Sequence, residues 1–425
     1  MGHYGARALT YWKPLLEETK LAFGNEHPQT LTHTNNLAET YSNLGRYNEA
    51  LELQKPLLEV SKQVMGEDHP ETLTHTNNLA MAYSDLGRYN EALELQKPLL
   101  EVSKQVMGED HPYTLTRTNN LARTYSDLGR YNEALELQKP LLEVSKQVMG
   151  EDHPETLTCT NSLAVTYSDL GRYNEALELQ KPLLEVSKKI MGEKHPSTLT
   201  CTNSLAVTYS DLGRYNEALE LQKPLLEVSK KIMGEKHPST LTCTNDLAMT
   251  YRNLEKYNEA LELQKPLLEV SKQVMGEDHP YTLTYTNNLA RIYSNLGRYN
   301  EALELQKPLL EVSKQVMGED HPETLTYTNN LARIYSNLGR YNEALELQKP
   351  LLEVSKQVMG EEHPETLTCT KSLAVTYSNL GRYNAALELH QEEHETIIQP
   401  QRHIQVIGEE HPYTLTCTDN LLHSM

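Results

Sequence analysis

The chain repeats itself with a fixed period, and this repetition constrains the fold more than any other feature. The dipeptide His-Pro recurs every 42 residues and once more after 48 residues, at His27, His69, His111, His153, His195, His237, His279, His321, His363 and His411. Such a period indicates that one supersecondary unit is stacked many times, so that each copy buries its apolar face against its neighbours. The length of 425 residues therefore measures the number of copies, not the number of globular domains.

Each copy contains two stretches with helical periodicity. In the copy that begins at Pro70, apolar and small residues recur every three or four positions as far as Leu86, which predicts an amphipathic helix A. Gly87 supplies the left-handed backbone that ends this helix, and a second apolar run up to Gly108 predicts helix B. Proline is tolerated at the first helical position, so His-Pro restarts helix A, with the histidine as its cap or beside the cap.

Two features depart from regular helical hairpins. Pro56 and its equivalents lie well inside helix B, where proline is expected to kink the helix or to delay its start. In one copy, Leu254-Glu255-Lys256 replaces Leu-Gly-Arg, which puts a non-glycine residue where left-handed backbone is expected, at a cost of about 1 kcal/mol. We therefore expect this sixth layer to be the softest.

Composition and charge exclude several classes of partner. The net charge of −20 argues against nucleic acid, since proteins that bind its backbone usually carry a clustered basic surface. No apolar run approaches the length needed to cross a bilayer, and the N-terminus lacks the pattern of a secretion signal. We expect a soluble, cytoplasmic protein that binds neither nucleic acid nor membrane.

Candidate metal and catalytic residues do not form a convincing site. The cysteines share one column of the repeat and are predicted to be reduced thiols: Cys159, Cys201, Cys243, Cys369 and Cys417. The His-Pro histidines offer one ligand in each layer, too few for a metal ion. The string His390-Gln391-Glu392-Glu393-His394 fits an inverted zinc-peptidase pattern, but a third ligand is needed well downstream and only 31 residues follow. We predict no metal, no cofactor and no enzymatic activity.

The stretch from Asn78 to Ala92 reads Asn-Leu-Ala-x-x-Tyr-x-x-Leu-Gly-Arg-Tyr-x-Glu-Ala, which resembles the signature of the tetratricopeptide repeat (TPR). The long period and the Gly-Glu-Asp-His-Pro linker resemble the 42-residue subtype of kinesin light chains, nephrocystin-3-like proteins and NLR-like receptors. The resemblance implies an all-α, right-handed superhelical solenoid of antiparallel helix hairpins. Helix A would line a concave groove and helix B the convex back, and the chain would bind a protein or peptide.

Three classes of function remain open under this resemblance: a peptide-binding adaptor, such as a kinesin light chain-like cargo adaptor, the sensor arm of a larger NLR-like signalling protein, and a structural spacer. The chain lacks both a sustained heptad pattern and a nucleotide-binding loop, so motor attachment is unsupported and a receptor switch would lie outside this chain. We divide it into an N-terminal half-repeat of helix B and linker (1–28), nine tandem hairpins (29–390), and a six-residue expansion with a C-terminal half-repeat of helix A (391–425). Such uncapped ends suggest a fragment, a truncated gene model or end-to-end self-association.

The first asparagine of each helix A is a candidate for ligand binding. It lies about half a turn from the core stripe of Leu79, Ala80 and Tyr83, which predicts that it faces the groove. An asparagine side chain both donates and accepts, so a ladder of them can hold an extended peptide, as the resemblance also implies. The alternative is that recent duplication repeated the residue without a function, since residues 159–200 and 201–242 are identical. The column is Asn35, Asn77, Asn119, Asn161, Asn203, Asn245, Asn287 and Asn329.

The column two residues after the leucine varies between copies, and variation on a constant scaffold suits specificity. It includes the candidate groove residues Met81, Arg123, Met249, Arg291 and Arg333. With acidic residues placed in the linkers and on helix B, the groove is predicted to be apolar to basic. We therefore expect an acidic or carboxylate-bearing peptide with apolar anchors as the ligand. The alternative is that these arginines are solvated and have no partner.

Overall fold

Each copy folds as two antiparallel helices joined by a glycine turn, as its hydrophobic periodicity predicts. The computed structural model describes residues 2–43, 46–361 and 363–391. Helix A is α2 (Pro28–Asn43), α4 (Pro70–Asp85), α6 (Pro112–Asp127), α8 (Pro154–Asp169), α10 (Pro196–Asp211), α12 (Pro238–Asn253), α14 (Pro280–Asn295), α16 (Pro322–Asn337) and α18 (Pro364–Asn379). The described residues contain no β-strand, so the prediction of an all-α solenoid of hairpins is confirmed.

Helix B is longer than helix A in copies one to eight. Its members are α1 (Gly2–Phe23), α3 (Tyr47–Met65), α5 (Tyr89–Met107), α7 (Tyr131–Met149), α9 (Tyr173–Met191), α11 (Tyr215–Met233), α13 (Tyr257–Met275), α15 (Tyr299–Val316) and α17 (Tyr341–Val358). Residues 383–391 are also helical. Cys417 and most of the zinc-peptidase-like string lie outside the described residues, as does nearly all of the segment 391–425. The predicted division into half-repeats and nine hairpins stays a prediction.

Local chemistry sets both ends of helix A. At the start, His69 has extended backbone and its Nδ1 accepts from the backbone N–H of Glu71 at 3.3 Å, while Pro70 takes the first helical position. At the end, Gly87 has a φ of 70°, and the N–H of Arg88 donates to the carbonyl of Tyr83 at 2.9 Å. The predicted histidine cap and glycine turn are therefore confirmed.

Helix B passes through its internal proline without a break. Helix α3 begins at Tyr47 and includes Pro56, so the alternative of a delayed start is wrong. Proline has no N–H, so the carbonyl of Glu52 loses its partner in the helix. The residues that follow, Leu57 and Leu58, are buried, and their packing offsets this loss.

The core consists of thin layers that adjacent hairpins share. In one layer, Leu141 and Leu142 of α7 pack with Leu163 of α8, and Cys159 belongs to the same cluster. Burial raises the pKa of the Cys159 thiol, which disfavours the reactive thiolate. The described cysteines are buried and unpaired. Among the described residues, no three metal-binding side chains come together and no helix is apolar over a length that could cross a membrane.

A stacked tyrosine joins each hairpin to the one before it. The Tyr83 ring of α4 has the Lys55 Nζ of the preceding helix B 5.3 Å from its centroid and the Arg88 guanidinium carbon at 4.8 Å. Cation–π contacts of this kind contribute about 0.5–1 kcal/mol where they are exposed. This arrangement of a tyrosine ring between a lysine and an arginine, which we call the tyrosine sandwich, recurs along the array. Tyr251 lacks the arginine because Lys256 occupies that position.

By its contacts the chain divides into two compact units, residues 1–334 and 335–425. In the first unit, the array winds far enough for copies one and two to touch copies seven and eight. The ring of Tyr47 lies 5.6 Å from that of His279, and the ring of Tyr89 lies 5.3 Å from that of His321. We call this contact the seam, formed by Tyr47, Gly87 and Tyr89 on one side and His279 and His321 on the other.

The seam is close-packed on both sides. His279 is 4% exposed and His321 is 6% exposed, and burial lowers the pKa of each to about 4. A Cβ atom added to Gly87 would lie 2.0 Å from His321 Nε2. Glycine is therefore required there for two reasons, its positive φ and the close approach of His321.

We expect Glu255→Gly to stabilise the protein by about 1 kcal/mol, because Glu255 has a φ of 60° and glycine adopts this backbone without strain. The measurement is the urea concentration at the midpoint of unfolding. The reciprocal change Gly213→Glu moves the same strain into the fifth copy and should lower the midpoint. An unchanged midpoint in both variants would contradict the assigned strain.

Gly87→Ala and Gly171→Ala form a matched pair that tests the seam. Both put alanine at a positive φ, 70° and 76°, and both should cost about 1 kcal/mol. Only Gly87→Ala also displaces His321, since a Cβ at Gly171 meets no atom within 4 Å. We expect small-angle X-ray scattering to show a larger radius of gyration for Gly87→Ala alone. Equal radii for the two variants would mean that the seam does not hold the turns together.

Candidate functional site

The exposed stripe of helix A lies on the inner surface of the first unit. In α4 this stripe passes through Thr74, Asn78, Met81 and Asp85, which recur every three or four residues. Desolvation, followed by the charge of Asp85 from copy two, raises the pKa of Tyr281 in copy seven, although the Tyr281 side chain is 48% exposed. Successive A helices such as α8 and α10 also contact one another, so helix A lines the concave side of the array in this unit.

The asparagines of helix A bridge adjacent copies. Asn78 Nδ2 donates to Asn35 Oδ1 at 3.0 Å, and Asn120 Nδ2 donates to Asn77 Oδ1 at 3.1 Å. The same bond joins the seventh copy to the sixth and the eighth to the seventh, at 2.9 Å in each case. Where the second position is an aspartate, Asn203 donates to Asp246 instead, at 2.7 Å. These side-chain hydrogen bonds fix the position of each helix A relative to the next.

The first asparagine column divides into buried and half-buried members. Asn245, Asn287 and Asn329 are 8%, 3% and 3% exposed, so the expectation that they face a ligand is corrected for these three. Their burial has a visible cause in helix B, since Gln264 Nε2 donates to Asn245 Oδ1 at 3.2 Å and Gln306 Nε2 donates to Asn287 Oδ1 at 3.1 Å. The other five, which are half-buried, are Asn35, Asn77, Asn119, Asn161 and Asn203.

Copies two to five present a column of carboxylates on the concave surface, formed by Asp85, Asp127, Asp169 and Asp211. Burial, with Asp127 and Asp211 as neighbours, raises the pKa of Asp169 to about 7. The Asp169 side chain is nevertheless exposed, so repulsion matters as well as desolvation: ionisation of Asp169 places a negative charge between those of Asp127 and Asp211. The prediction of an apolar to basic groove, with the acidic load in the linkers and on helix B, did not include these carboxylates at the end of helix A.

Arg123 lies within this acidic section. Its Nη2 is 4.0 Å from Asp85 Oδ1 and 3.8 Å from Met81 Sδ. Arg123 also lowers the pKa of Asp127, which burial raises to about 6. The structure thus places Arg123 beside Met81 and Asp85 of the preceding copy.

Copies six to eight form a basic cleft of about 280 Å³ in the same unit. Arg252, Arg291 and Arg333 line it, together with Glu255 and Tyr257. Burial, followed by the nearby charge of Arg333, lowers the pKa of Arg252. Arg252 Nη2 donates to Asn253 Oδ1 at 2.7 Å, while its Nη1 is buried and has no hydrogen-bond partner. The cleft therefore concentrates positive charge and one unused donor.

The sequence pattern missed Arg252 as a site residue. The signal was available, because the copies on either side carry Ser210 and Ser294 at this position and only the sixth copy carries arginine. The same copy also carries Glu255 in place of glycine. Met249, predicted to line the groove in that copy, is half-buried but is not among the residues that line the cleft.

We expect Asp169→Asn to raise the melting temperature at pH 8 and to leave it nearly unchanged at pH 4. The folded pKa of about 7 lies above the unfolded value of about 3.9, so ionisation destabilises the fold increasingly as pH rises through this window. Asparagine already occupies the equivalent positions Asn253 and Asn295. Glu178→Gln, which removes one charge from the exposed face of helix B, should not show this dependence on pH. A pH-independent effect of Asp169→Asn would contradict the raised pKa.

Comparison with solved structures shows related folds. Nearly identical TPR-like repeats of a kinesin light chain-like protein from Podosopora anserina are 29% identical, over 49% of this chain and 99% of that chain, with a TM-score of 0.42. A Rap protein complexed with Competence and Sporulation Factor is 14% identical over 87% of this chain and 98% of that chain, with a TM-score of 0.56. The apo form of the quorum sensor NprR from B. thuringiensis is 16% identical over 84% and 99%, with a TM-score of 0.55.

No curated protein sequence gives a significant match to this chain. The Tetratricopeptide repeat family model matches it at residues 29–97, 74–139, 118–181, 160–231, 202–265, 243–307, 284–349 and 327–396. These matches cover most of the chain, and they agree with the hairpins, the stacked tyrosine and the shared core layers described above. The chain belongs to the tetratricopeptide repeat family.

Proposed function

We propose that the chain is a protein-interaction scaffold whose concave surface binds a short acidic segment of a partner protein at the basic cleft. The observation that carries this proposal is the convergence of Arg252, Arg291 and Arg333 on one cleft. These three arginines share the cleft with one carboxylate, Glu255, so positive charge is in excess there and an anionic ligand would relieve the repulsion. The buried Arg252 Nη1, which has no partner, is a donor that a carboxylate oxygen would satisfy.

The charges around the cleft limit the length of the ligand. The acidic column of copies two to five lies on the same surface, and the net charge of the chain is −20. A long polyanion such as nucleic acid would meet these carboxylates and be repelled, whereas a few acidic residues fit within the cleft. The ligand is therefore acidic over a short stretch and neutral or basic beside it.

The remaining predicted residues take different parts in this proposal. Arg291 and Arg333 contact the ligand directly, and the half-buried asparagines of the earlier copies line its path. Arg123 does not contact the acidic stretch, because Asp85 and Asp127 surround it. The Rap protein, which shares the fold, is complexed with Competence and Sporulation Factor in its structure, which supports a ligand-binding role for such an array.

A random-peptide display screen against the whole chain tests the proposal. We expect the selected peptides to be enriched in clustered Asp and Glu. The variant Arg252→Ser restores the residue of the neighbouring copies, and we expect it to weaken binding of a selected peptide about 10- to 100-fold, as for the loss of a charged hydrogen bond. Fluorescence anisotropy of the labelled peptide measures this change.

Arg123→Val is the matched control, because it removes one arginine from the concave surface and copies the residue Val165 of the next repeat. It should leave the affinity for the acidic peptide within about twofold. Selection of peptides without acidic clusters, or equal losses in the two variants, would refute binding at the cleft.

A further inference from the structure

The seam uses two edges that every copy carries. One edge, the A-to-B edge, consists of the loops that join helix A to helix B, such as residues 86–90. The other, the B-to-A edge, consists of the His-Pro linkers, such as residues 320–323. At the seam the A-to-B edge of copies one and two contacts the B-to-A edge of copies seven and eight.

Both halves of the seam recur elsewhere in the same unit with identical sequence. The loop Leu-Gly-Arg-Tyr-Asn of residues 86–90 is repeated at residues 128–132, 170–174, 212–216 and 296–300. The linker Asp-His-Pro-Glu of residues 320–323 is repeated at residues 68–71 and 152–155. The array therefore contains several more copies of each contacting surface than the seam uses.

These other copies have the same local geometry and no covering partner. His69 and His153 cap their helices with φ values of −67° and −69°, matching −67° for His279. His69, His153 and His195 are nevertheless exposed, whereas His279 and His321 are buried. On the other edge, a Cβ at Gly213 or Gly297 would meet no atom within 4 Å. Docking at the seam, not local structure, accounts for this difference.

We propose that the free edges are a self-association surface, on which the B-to-A edge of one molecule docks onto the A-to-B edge of a second copy of this chain. The contact repeats the seam between molecules: a His-Pro linker lies against a Gly-Arg-Tyr loop, and the histidine ring stacks on the tyrosine. The two edges bring together the N-terminal ends of some A helices and the C-terminal ends of others, whose dipoles attract. Ring stacking and burial add to this.

The arrangement is head-to-tail, because two different surfaces meet. Such a contact leaves one edge of each type free after every addition, so short linear assemblies form as well as dimers. The net charge of −20 opposes association at low ionic strength, and salt relieves this repulsion since the screening length falls to about 8 Å near 0.15 M. Association should therefore strengthen as salt is added.

Sedimentation velocity of the full chain, from about 1 µM to about 200 µM, tests the proposal. We expect the weight-average sedimentation coefficient to rise with concentration. In the triple variant His69→Asp, His153→Asp, His195→Asp this rise should be lost, while circular dichroism and the melting temperature stay close to those of the parent. Aspartate is itself a good helix cap, so the helices keep their starts and lose only the rings.

Two further variants separate the causes of any change. The uncharged triple variant with asparagine at the same positions should also weaken association, which excludes a general effect of added charge. Tyr11→Lys alters a residue that is 60% exposed and lies in the middle of α1, away from both ends of the helix and so from both edges, and it should have no effect. A parent chain that stays monomeric, a triple variant that associates like the parent, or association lost only in Tyr11→Lys would each overturn the proposal.

Discussion

Each hairpin between the first and the last that the structure describes buries its apolar face against the hairpins on either side, and the rest of the structure depends on this shared burial. Leu141 and Leu142 of one helix B belong to a cluster with Leu115 of the preceding helix A and Leu163 of the following one. The tyrosine sandwich and the asparagine bridge act across the same boundary, one involving helix B and the other the concave side. Layers held at several points keep a constant rotation from copy to copy, and this rotation brings distant copies into contact at the seam.

The parts of the fold that rest on local chemistry could be predicted from the sequence. The histidine cap, the glycine turn and the left-handed Glu255 each follow from a few neighbouring residues. The seam could not be predicted, because it depends on a small rotation that accumulates over several copies. His69 and His321 have the same neighbours in sequence, yet one is exposed and the other is buried.

The candidate site was predicted less completely, for a related reason. Helical periodicity identified the exposed stripe but did not separate the two adjacent asparagines, since Asn78 and Asn35 share one bridge between copies. The arginines were read as one column, whereas the winding places Arg123 beside Asp85 and brings Arg291 and Arg333 together with Arg252. The most informative residue was Arg252, which replaces the serine of the neighbouring copies. A search for residues that recur in every copy does not detect it.

The identical loops at the seam have a consequence for how such a gene can change. Arrays of near-identical copies gain and lose whole repeats readily, and here two neighbouring copies are the same at every position. Adding or removing one whole repeat between the two sides of the seam moves the pairing along by one copy and presents the same Gly-Arg-Tyr loop to the same His-Pro linker. An insertion of half a repeat would instead bring a helix face opposite the linker. The seam can therefore form in arrays with different numbers of repeats. It cannot form when an insertion offsets its two sides by part of a repeat.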